Sequence, residues 1–184
     1  MDSLRGHEGT AARMYFAALA AVFSPDWRFT GRNRQPPTDP VNALLSYGYT
    51  LLFYNLYSFV RARGLNPHVG FFHQVRAGHP ALVSDLMEEF RAIIVDIIVL
   101  NLVLNRHLTP EQFTLPDATN RACVMEKEAR KIFIRALEKK LNAPIRHPNS
   151  GLQLDYRRCL EHQVHQLAGV VQDREKRYKA MVIR

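Results

Sequence analysis

The chain has 184 residues, of which 47% are hydrophobic and 23% are charged. This composition excludes a disordered chain and is typical of a folded globular protein. The length predicts one domain over residues 1–184. Twenty-five Lys and Arg against 17 Asp and Glu leave a net charge of +8, which favours a polyanionic partner.

The basic surplus lies in the last third of the chain. Residues 1–120 carry ten Arg and ten acids, whereas residues 121–184 carry fifteen bases and seven acids, and the first lysine is Lys127. Arginine makes bidentate contacts with phosphate, and lysine acts as a mobile point charge. We therefore expect arginines at defined phosphate-contact positions in the N-terminal part and a non-specific basic surface in the C-terminal part. The alternative is that the basic surface only keeps the protein soluble.

The cysteines and the most apolar stretch indicate the cellular environment of the protein. Cys123 and Cys159 make no metal-ligand pattern, and a reducing cytoplasm is favoured over a disulfide scaffold. Ala92–Leu104 is apolar for only 13 residues and contains Asp96 and Asn101, whereas a bilayer needs about 20 apolar residues. It predicts a buried helix and no membrane association.

Helical periodicity recurs along the chain and strand signals are almost absent, which predicts an all-α fold of about five to seven helices. The first helix is expected at Gly9–Phe23, and the proline-rich segment Ser24–Pro40 reads as a loop. A long helix follows at Pro40–Arg63, with Asp39 as its N-cap and Gly64 at its end. The remaining expected elements are, in chain order, an irregular segment His68–His79, a helix Pro80–Leu104, a helical turn at Thr109–Glu111, a helix near Thr119–Asn142, a loop Pro144–Gly151 and a helix Leu152–Met181.

A histidine and two carboxylates stand out in the second quarter of the chain. Asp85 and Glu88 lie three residues apart on one helix face, where like charges repel unless a cation or a strong donor lies between them. His73 lies twelve residues before Asp85. One imidazole with carboxylates suits Mg²⁺ or Mn²⁺. The alternative is a structural His73 and an acidic helix turn in which Glu89 is merely solvated.

Three other groups of residues carry weaker signals. Glu8 begins the first helix, where the helix dipole alone accounts for a carboxylate. The pair His162 and His165 has no third metal ligand and reads as surface histidines. Tyrosines in the long helix could stack on bases, but aromatic residues at helical spacing are more often core; these are Tyr47, Tyr54 and Tyr57.

Four ordered segments carry a family resemblance: Gly6–Phe16, Gly31–Leu52, Gly64–His73 and Pro80–Arg91. Together they resemble the catalytic, all-helical domain of the CRISPR-associated integrase and endonuclease Cas one. The resemblance covers essentially the whole chain and weakens after about residue 115. The family's β-rich N-terminal domain is not seen, which implies a fragment or the C-terminal part of a longer or fused protein.

The resemblance implies a set of site residues. Glu8, His73 and Glu88 match the metal-binding triad for Mg²⁺ or Mn²⁺, and Asp85 matches an additional catalytic acid. Four further residues match a shared motif and are expected to brace the site or touch DNA: Arg32, Arg34, Asp39 and Asn42.

The implied activity is metal-dependent transesterification, in which a 3′-hydroxyl of a short DNA attacks a phosphodiester of repeat DNA. The implied partners are double-stranded and branched DNA, the companion adaptation protein Cas two, and a second copy in a homodimer. Two alternatives remain open: a non-catalytic DNA-binding or assembly domain, and an all-α module that binds RNA.

Overall fold

The computed structural model of the chain describes residues 2–74 and 76–183. Within them the fold is mostly helical, which confirms the all-α prediction. The α-helices are α1 (Asp2–Ala20), α2 (Pro40–Ala62), α3 (Ala81–Met87), α4 (Ile97–Leu104), α5 (Lys127–Leu141) and α6 (Tyr156–Val171). A π-helical segment, Arg91–Asp96, precedes α4, and single 3₁₀ turns occupy Pro25–Trp27 and Pro110–Gln112.

Four short strands form two antiparallel ribbons that the sequence pattern did not predict. The strands are β1 (Phe113–Thr114), β2 (Val124–Met125), β3 (Pro144–Arg146) and β4 (Gln153–Asp155). β1 pairs with β2, and β3 pairs with β4. Alternation of apolar and polar residues needs about four positions to be recognised, so strands of two or three residues leave no readable pattern.

Both C-terminal helices are shorter than expected. Helix α5 begins at Lys127 rather than near Thr119, because the Cys123 amide donates to the Pro37 carbonyl at 2.7 Å and the next two residues form β2. Helix α6 begins after β4, where Asp155 Oδ1 accepts from the Arg158 amide. It ends at Val171 rather than at Met181.

The expected helix Pro80–Leu104 is interrupted. Helix α3 ends at Met87, the Phe90 amide donates to the Met87 carbonyl, and the chain continues as the π-helical segment before α4. A π-helical segment inserts extra residues into a turn and is often associated with functional sites. The prediction of one continuous α-helix is therefore wrong at Glu88–Phe90, which form a turn.

The chain divides into two compact units, of which the first comprises Met1–Gly48 and Ile98–Arg135. Its core is rich in aromatic residues that meet edge to face. The ring centroids of Trp27 and Phe113 are 5.9 Å apart, and those of Tyr47 and Phe133 are 5.6 Å apart. Tyr47 thus belongs to the aromatic core of this unit.

The second unit comprises Tyr49–Ile97 and Ala136–Arg184. Its core consists of fully buried side chains from α2, α3, the π-helical segment, α5 and α6, among them Leu52, Leu56, Leu86, Phe90, Ile94, Leu141 and Leu160. The assignment of residues 1–184 to a single domain stays a prediction.

None of the helices within residues 2–74 and 76–183 combines the length and apolarity needed to cross a membrane. Cys123 and Cys159 are buried free thiols. Burial raises the pKa of each to about 11, so both thiols stay protonated at neutral pH.

Candidate active site

The carboxylate of Asp85 organises the loop that carries His73. Asp85 lies in the buried helix α3, and its side chain is wholly excluded from solvent. Its Oδ2 accepts hydrogen bonds from the amides of Phe71 (2.6 Å) and Phe72 (3.0 Å). Its Oδ1 accepts from the His73 amide at 2.8 Å and contacts His73 Nδ1 at 2.6 Å. A single carboxylate therefore fixes both the backbone and the imidazole of this segment.

The same contact explains the glycine in the segment Gly70–His73. A Cβ atom at Gly70 would lie 2.7 Å from Asp85 Oδ2 and 2.8 Å from the Ala81 Cβ. Distances below 3.0 Å are not tolerated by real Cβ atoms. Position 70 has no room for a side chain because the loop passes directly over α3.

The Asp85 contact also decides the tautomer of His73. Since a carboxylate oxygen accepts hydrogen bonds, the contact assigns a proton to Nδ1 and leaves Nε2 on the side of the ring away from Asp85. The His73 side chain is 30% exposed, and its ring lies 6.2 Å, centroid to centroid, from that of His79. A carboxylate that holds the far nitrogen of an imidazole is the usual support of a metal-binding histidine.

Glu88 stands in the turn after α3 and pairs with Arg91. The Glu88 Oε2 and Arg91 Nη2 atoms are 2.7 Å apart, and both side chains are partly exposed. The Arg91 guanidinium lies over the Tyr49 ring, 5.6 Å from its centroid, and the Tyr49 hydroxyl donates to the buried Asp96 at 2.6 Å. This chain of contacts limits the positions available to Glu88. The spacing of three residues between Glu88 and Arg91 was a signal available in the sequence.

Glu89 is half-buried and hydrogen-bonded, so the expectation that its side chain is merely solvated is wrong. Its Oε2 accepts from Gln163 Nε2 at 2.8 Å and from the Met181 amide at 2.7 Å. Its Oε1 accepts from the Tyr178 hydroxyl. Burial raises the pKa of Glu89, against the lowering effect of these donors. Sequence reasoning missed this anchor because Glu89 and Tyr178 are 89 residues apart.

A buried polar network continues from Gln163 to His147. The His147 side chain is fully buried, and its Nδ1 accepts from the Ser150 amide at 3.2 Å. Its Nε2 must therefore carry the proton. Within the described residues this atom and Gln163 Oε1 are the buried side-chain atoms without a hydrogen-bond partner.

The histidines of α6 differ in their surroundings. His165 is exposed, as expected. His162 is half-buried, and its ring lies 4.7 Å from that of His147. Burial lowers the pKa of His147 and of His162; the charge of His162 lowers the pKa of His147 further, and the charge of His165 lowers that of His162.

In the first unit, Asn42 ties the loop before α2 to the helix. Asn42 is buried, and its side chain accepts from Arg32 at 2.8 Å and donates to the Gly31 carbonyl at 2.8 Å. Asp39 accepts from the Asn42 amide at 2.9 Å, which is the N-cap contact expected from the sequence. Burial raises the pKa of Asp39. These contacts favour bracing over DNA contact for Asn42.

The other motif residues are more open. Arg32 is half-buried and also donates to Ser46 at 3.0 Å, whereas Arg34 is exposed.

The predicted metal ligands are divided between the two units. Glu8 is exposed in α1 and belongs to the first unit, and His73, Asp85 and Glu88 belong to the second. In the part of the chain that the structure describes, no three His, Cys, Asp or Glu side chains are grouped closely enough to hold a metal. The metal triad stays a prediction.

Comparison with known families decides the affiliation. A family model described as CRISPR associated protein Cas1, the family named Cas one above, matches residues 1–139. The chain belongs to the Cas1 family. The resemblance seen in the four sequence segments is thereby confirmed.

Relatives extend this result over the rest of the chain. A CRISPR-associated Cas1 endonuclease of Thermus thermophilus is 42% identical over 183 residues, which cover 100% of this chain and 54% of the relative. A Cas4 exonuclease/Cas1 endonuclease fusion of Rhodospirillum rubrum is 38% identical, over 95% of this chain and 31% of the fusion. The chain thus spans about half the length of the first Cas1 relative, and less of the fusion.

Solved structures share the fold. A chain of a solved Cas6-RT-Cas1–Cas2 complex matches with a TM-score of 0.85 at 26% identity, over 100% of this chain and 20% of that chain. A casposase bound to integration product matches with a TM-score of 0.85 at 24% identity, over 95% of this chain and 48% of that chain. At that identity the casposase likeness shows the fold alone.

Proposed function

We propose that this chain carries the catalytic part of a metal-dependent DNA integrase and endonuclease of CRISPR spacer acquisition. The observation that carries the proposal is the set of hydrogen bonds that Asp85 accepts from the segment Gly70–His73, here named the Asp85 clamp. These bonds present one imidazole nitrogen of His73 in a fixed orientation. Membership of the Cas1 family supports the reaction class. The proposed reaction joins a DNA 3′-hydroxyl to a phosphodiester of repeat DNA, forming one phosphodiester bond and releasing one 3′-hydroxyl.

The residues suit Mg²⁺ or Mn²⁺ by their chemistry. His73 offers Nε2 and Glu88 offers a carboxylate, a mixed nitrogen and oxygen set that favours Mn²⁺. The family resemblance adds Glu8 as the third ligand. When bound, such an ion polarises a phosphoryl oxygen and stabilises the charge that develops during displacement.

The chain's own residues then orient the reacting groups. Asp85 uses its acceptor positions on three amides and on His73 Nδ1, so we assign it a positioning role rather than contact with the reacting atoms. Arg91 limits the orientation of Glu88. Orientation of this kind lowers the entropic part of the barrier.

The proposed partners follow from charge and family. The C-terminal bases would bind the phosphate backbone of double-stranded and branched DNA without reading sequence, and exposed Arg34 would add a bidentate contact. Two protein partners are proposed from the family alone: the companion protein Cas2 and a second copy of the full-length protein.

A metal titration of four variants tests the site. We expect Mn²⁺ binding to be lost in Glu8→Ala, His73→Ala and Glu88→Ala, and to weaken about tenfold to a hundredfold in Asp85→Asn, since supporting groups contribute that much to metal affinity. The exposed His107→Ala is the matched control. Binding is followed by the electron paramagnetic resonance of free Mn²⁺, and folding by circular dichroism.

Nucleic-acid assays test the reaction and its alternatives. We expect cleavage or strand joining on branched DNA with Mn²⁺ in the wild-type chain and none in His73→Ala. DNA binding without turnover in the wild type would favour the non-catalytic assembly domain. A preference for RNA over branched DNA at one salt concentration would overturn the integrase proposal.

A further inference from the structure

The segment Tyr178–Met181, here named the C-terminal strap, lies across the turn that carries Glu88. The Met181 amide and the Tyr178 hydroxyl both donate to the Glu89 carboxylate. The Met181 side chain is buried, with 3% of its surface exposed. A backbone amide and a side chain of the strap therefore converge on one acidic residue next to Glu88.

The strap is held by the body of the second unit as well. Gln163 Nε2 donates to the Lys179 carbonyl at 3.0 Å, and the Lys179 amide donates to Gln166 Oε1 at 3.0 Å. Asn149, in the loop between β3 and β4, donates to the Ala180 carbonyl at 2.9 Å. Contacts from α6 and from this loop thus determine where the strap lies.

The turn at Glu88–Phe90 needs such external support. It follows the end of α3 and precedes the π-helical segment, so the backbone hydrogen bonds of an α-helix do not run through it without interruption. Arg91 holds Glu88 from one side through an ion pair. The strap holds the next residue, Glu89, and a buried carboxylate is stable only when its acceptor positions are filled.

We propose that the strap, through Glu89, positions Glu88 for its part in the candidate site, and that Glu89 and Tyr178 are positioning residues. The inference rests on the proposed function only for the role of Glu88 as a metal ligand. The mechanical part, in which strap docking orders residues 88–91, stands on the contacts alone. Release of the strap would loosen Glu88 without removing any proposed ligand.

Hydrogen exchange tests the mechanical part in the full 184-residue chain. Glu89→Gln keeps the size of the side chain but presents an amide group to donors, and Tyr178→Phe removes one donor. We expect the amides of residues 86–92 to exchange at least several-fold faster in both variants, as measured by mass spectrometry. Leu56→Ala is the control, because it lowers the stability of the same unit at a fully buried position of α2 that makes none of the strap's hydrogen bonds.

Mn²⁺ affinity separates positioning from general destabilisation. We expect the dissociation constant for Mn²⁺ to rise about tenfold in Glu89→Gln, by analogy with supporting groups at metal sites, and to stay within twofold of wild type in Leu56→Ala. Unchanged exchange at residues 86–92 in both strap variants would overturn the inference. Faster exchange with unchanged Mn²⁺ affinity would overturn the positioning of Glu88, whereas a wild-type chain that binds no Mn²⁺ would instead refute the proposed function.

Discussion

The carboxylate of Asp85 receives four hydrogen bonds in a position that solvent does not reach. A carboxylate in such surroundings is costly to leave without hydrogen-bond partners. The segment Gly70–His73 is therefore fixed by one residue, and His73 inherits its orientation from it. At the scale of single residues, the hydrogen bonds of Asp85 therefore determine the orientation of His73 in the candidate site.

Gly70→Ala should damage this arrangement. The added Cβ would meet Asp85 Oδ2 and the Ala81 Cβ at distances that require the loop to move. We expect the free energy of unfolding to fall by about 1–3 kcal/mol, the usual cost of overpacking, and Mn²⁺ binding to weaken because His73 moves with the loop. Urea denaturation and Mn²⁺ titration measure the two effects.

Gly6→Ala supplies the comparison, since nothing lies within 4 Å of a Cβ at that helical position. There the change should be neutral or stabilise α1 by about 0.5–1 kcal/mol. A Gly70→Ala protein as stable as wild type would show that the close passage of the loop over α3 is not present in solution.

At the scale of elements, the residues that cap the start of α2 also fix the loop that precedes the helix. Asp39 caps the helix by accepting from the Asn42 amide, and it also accepts from Asn42 Nδ2 at 2.6 Å. Asn42 in turn holds Gly31 and Arg32. The cap and the preceding loop therefore form one hydrogen-bonded structure.

Asp39→Ala should destabilise the protein through this cap. We expect a loss of about 1–2 kcal/mol, from the removal of an N-cap and of a partner of buried Asn42. Thermal denaturation followed by circular dichroism would measure it. The exposed Arg34→Ala should leave the melting temperature unchanged, and an equal shift in both variants would contradict a specific capping role.

At the scale of the whole molecule, the polar interior of the second unit links pH to stability. Burial lowers the pKa of His147 and of His162 below the ordinary value of 6.5. The unfolded chain then binds protons more readily than the folded protein. The stabilising contribution is present above about pH 6.5 and is lost as the pH falls towards the folded-state pKa values.

We therefore expect the urea concentration at the midpoint of denaturation to decrease as the pH is lowered from 7.5 to 5.5. His147→Gln should flatten this dependence, because its amide group can donate towards Gln163 and accept from Ser150 without gaining a charge. Exposed His107→Gln should leave the slope unchanged. A wild-type midpoint that rises on acidification would have the wrong sign for buried neutral histidines.

Much of the fold follows from local sequence. The helix α2, its Asp39 cap and its end near Gly64 depend on neighbours within one or two turns, and the apolar stretch near Ile94 and Val99 reads directly as core. The paired position of Asp85 and Glu88 is also local. These features could be predicted because their physical causes lie within a few residues of each other.

Only the tertiary structure decided which contacts those residues make. The clamp of Asp85 joins residues 12 to 14 positions apart, and the strap joins Glu89 to residues about ninety positions away. Hydrogen bonds that fill a buried carboxylate are set by packing of the whole unit, and no short-range pattern in the sequence records them.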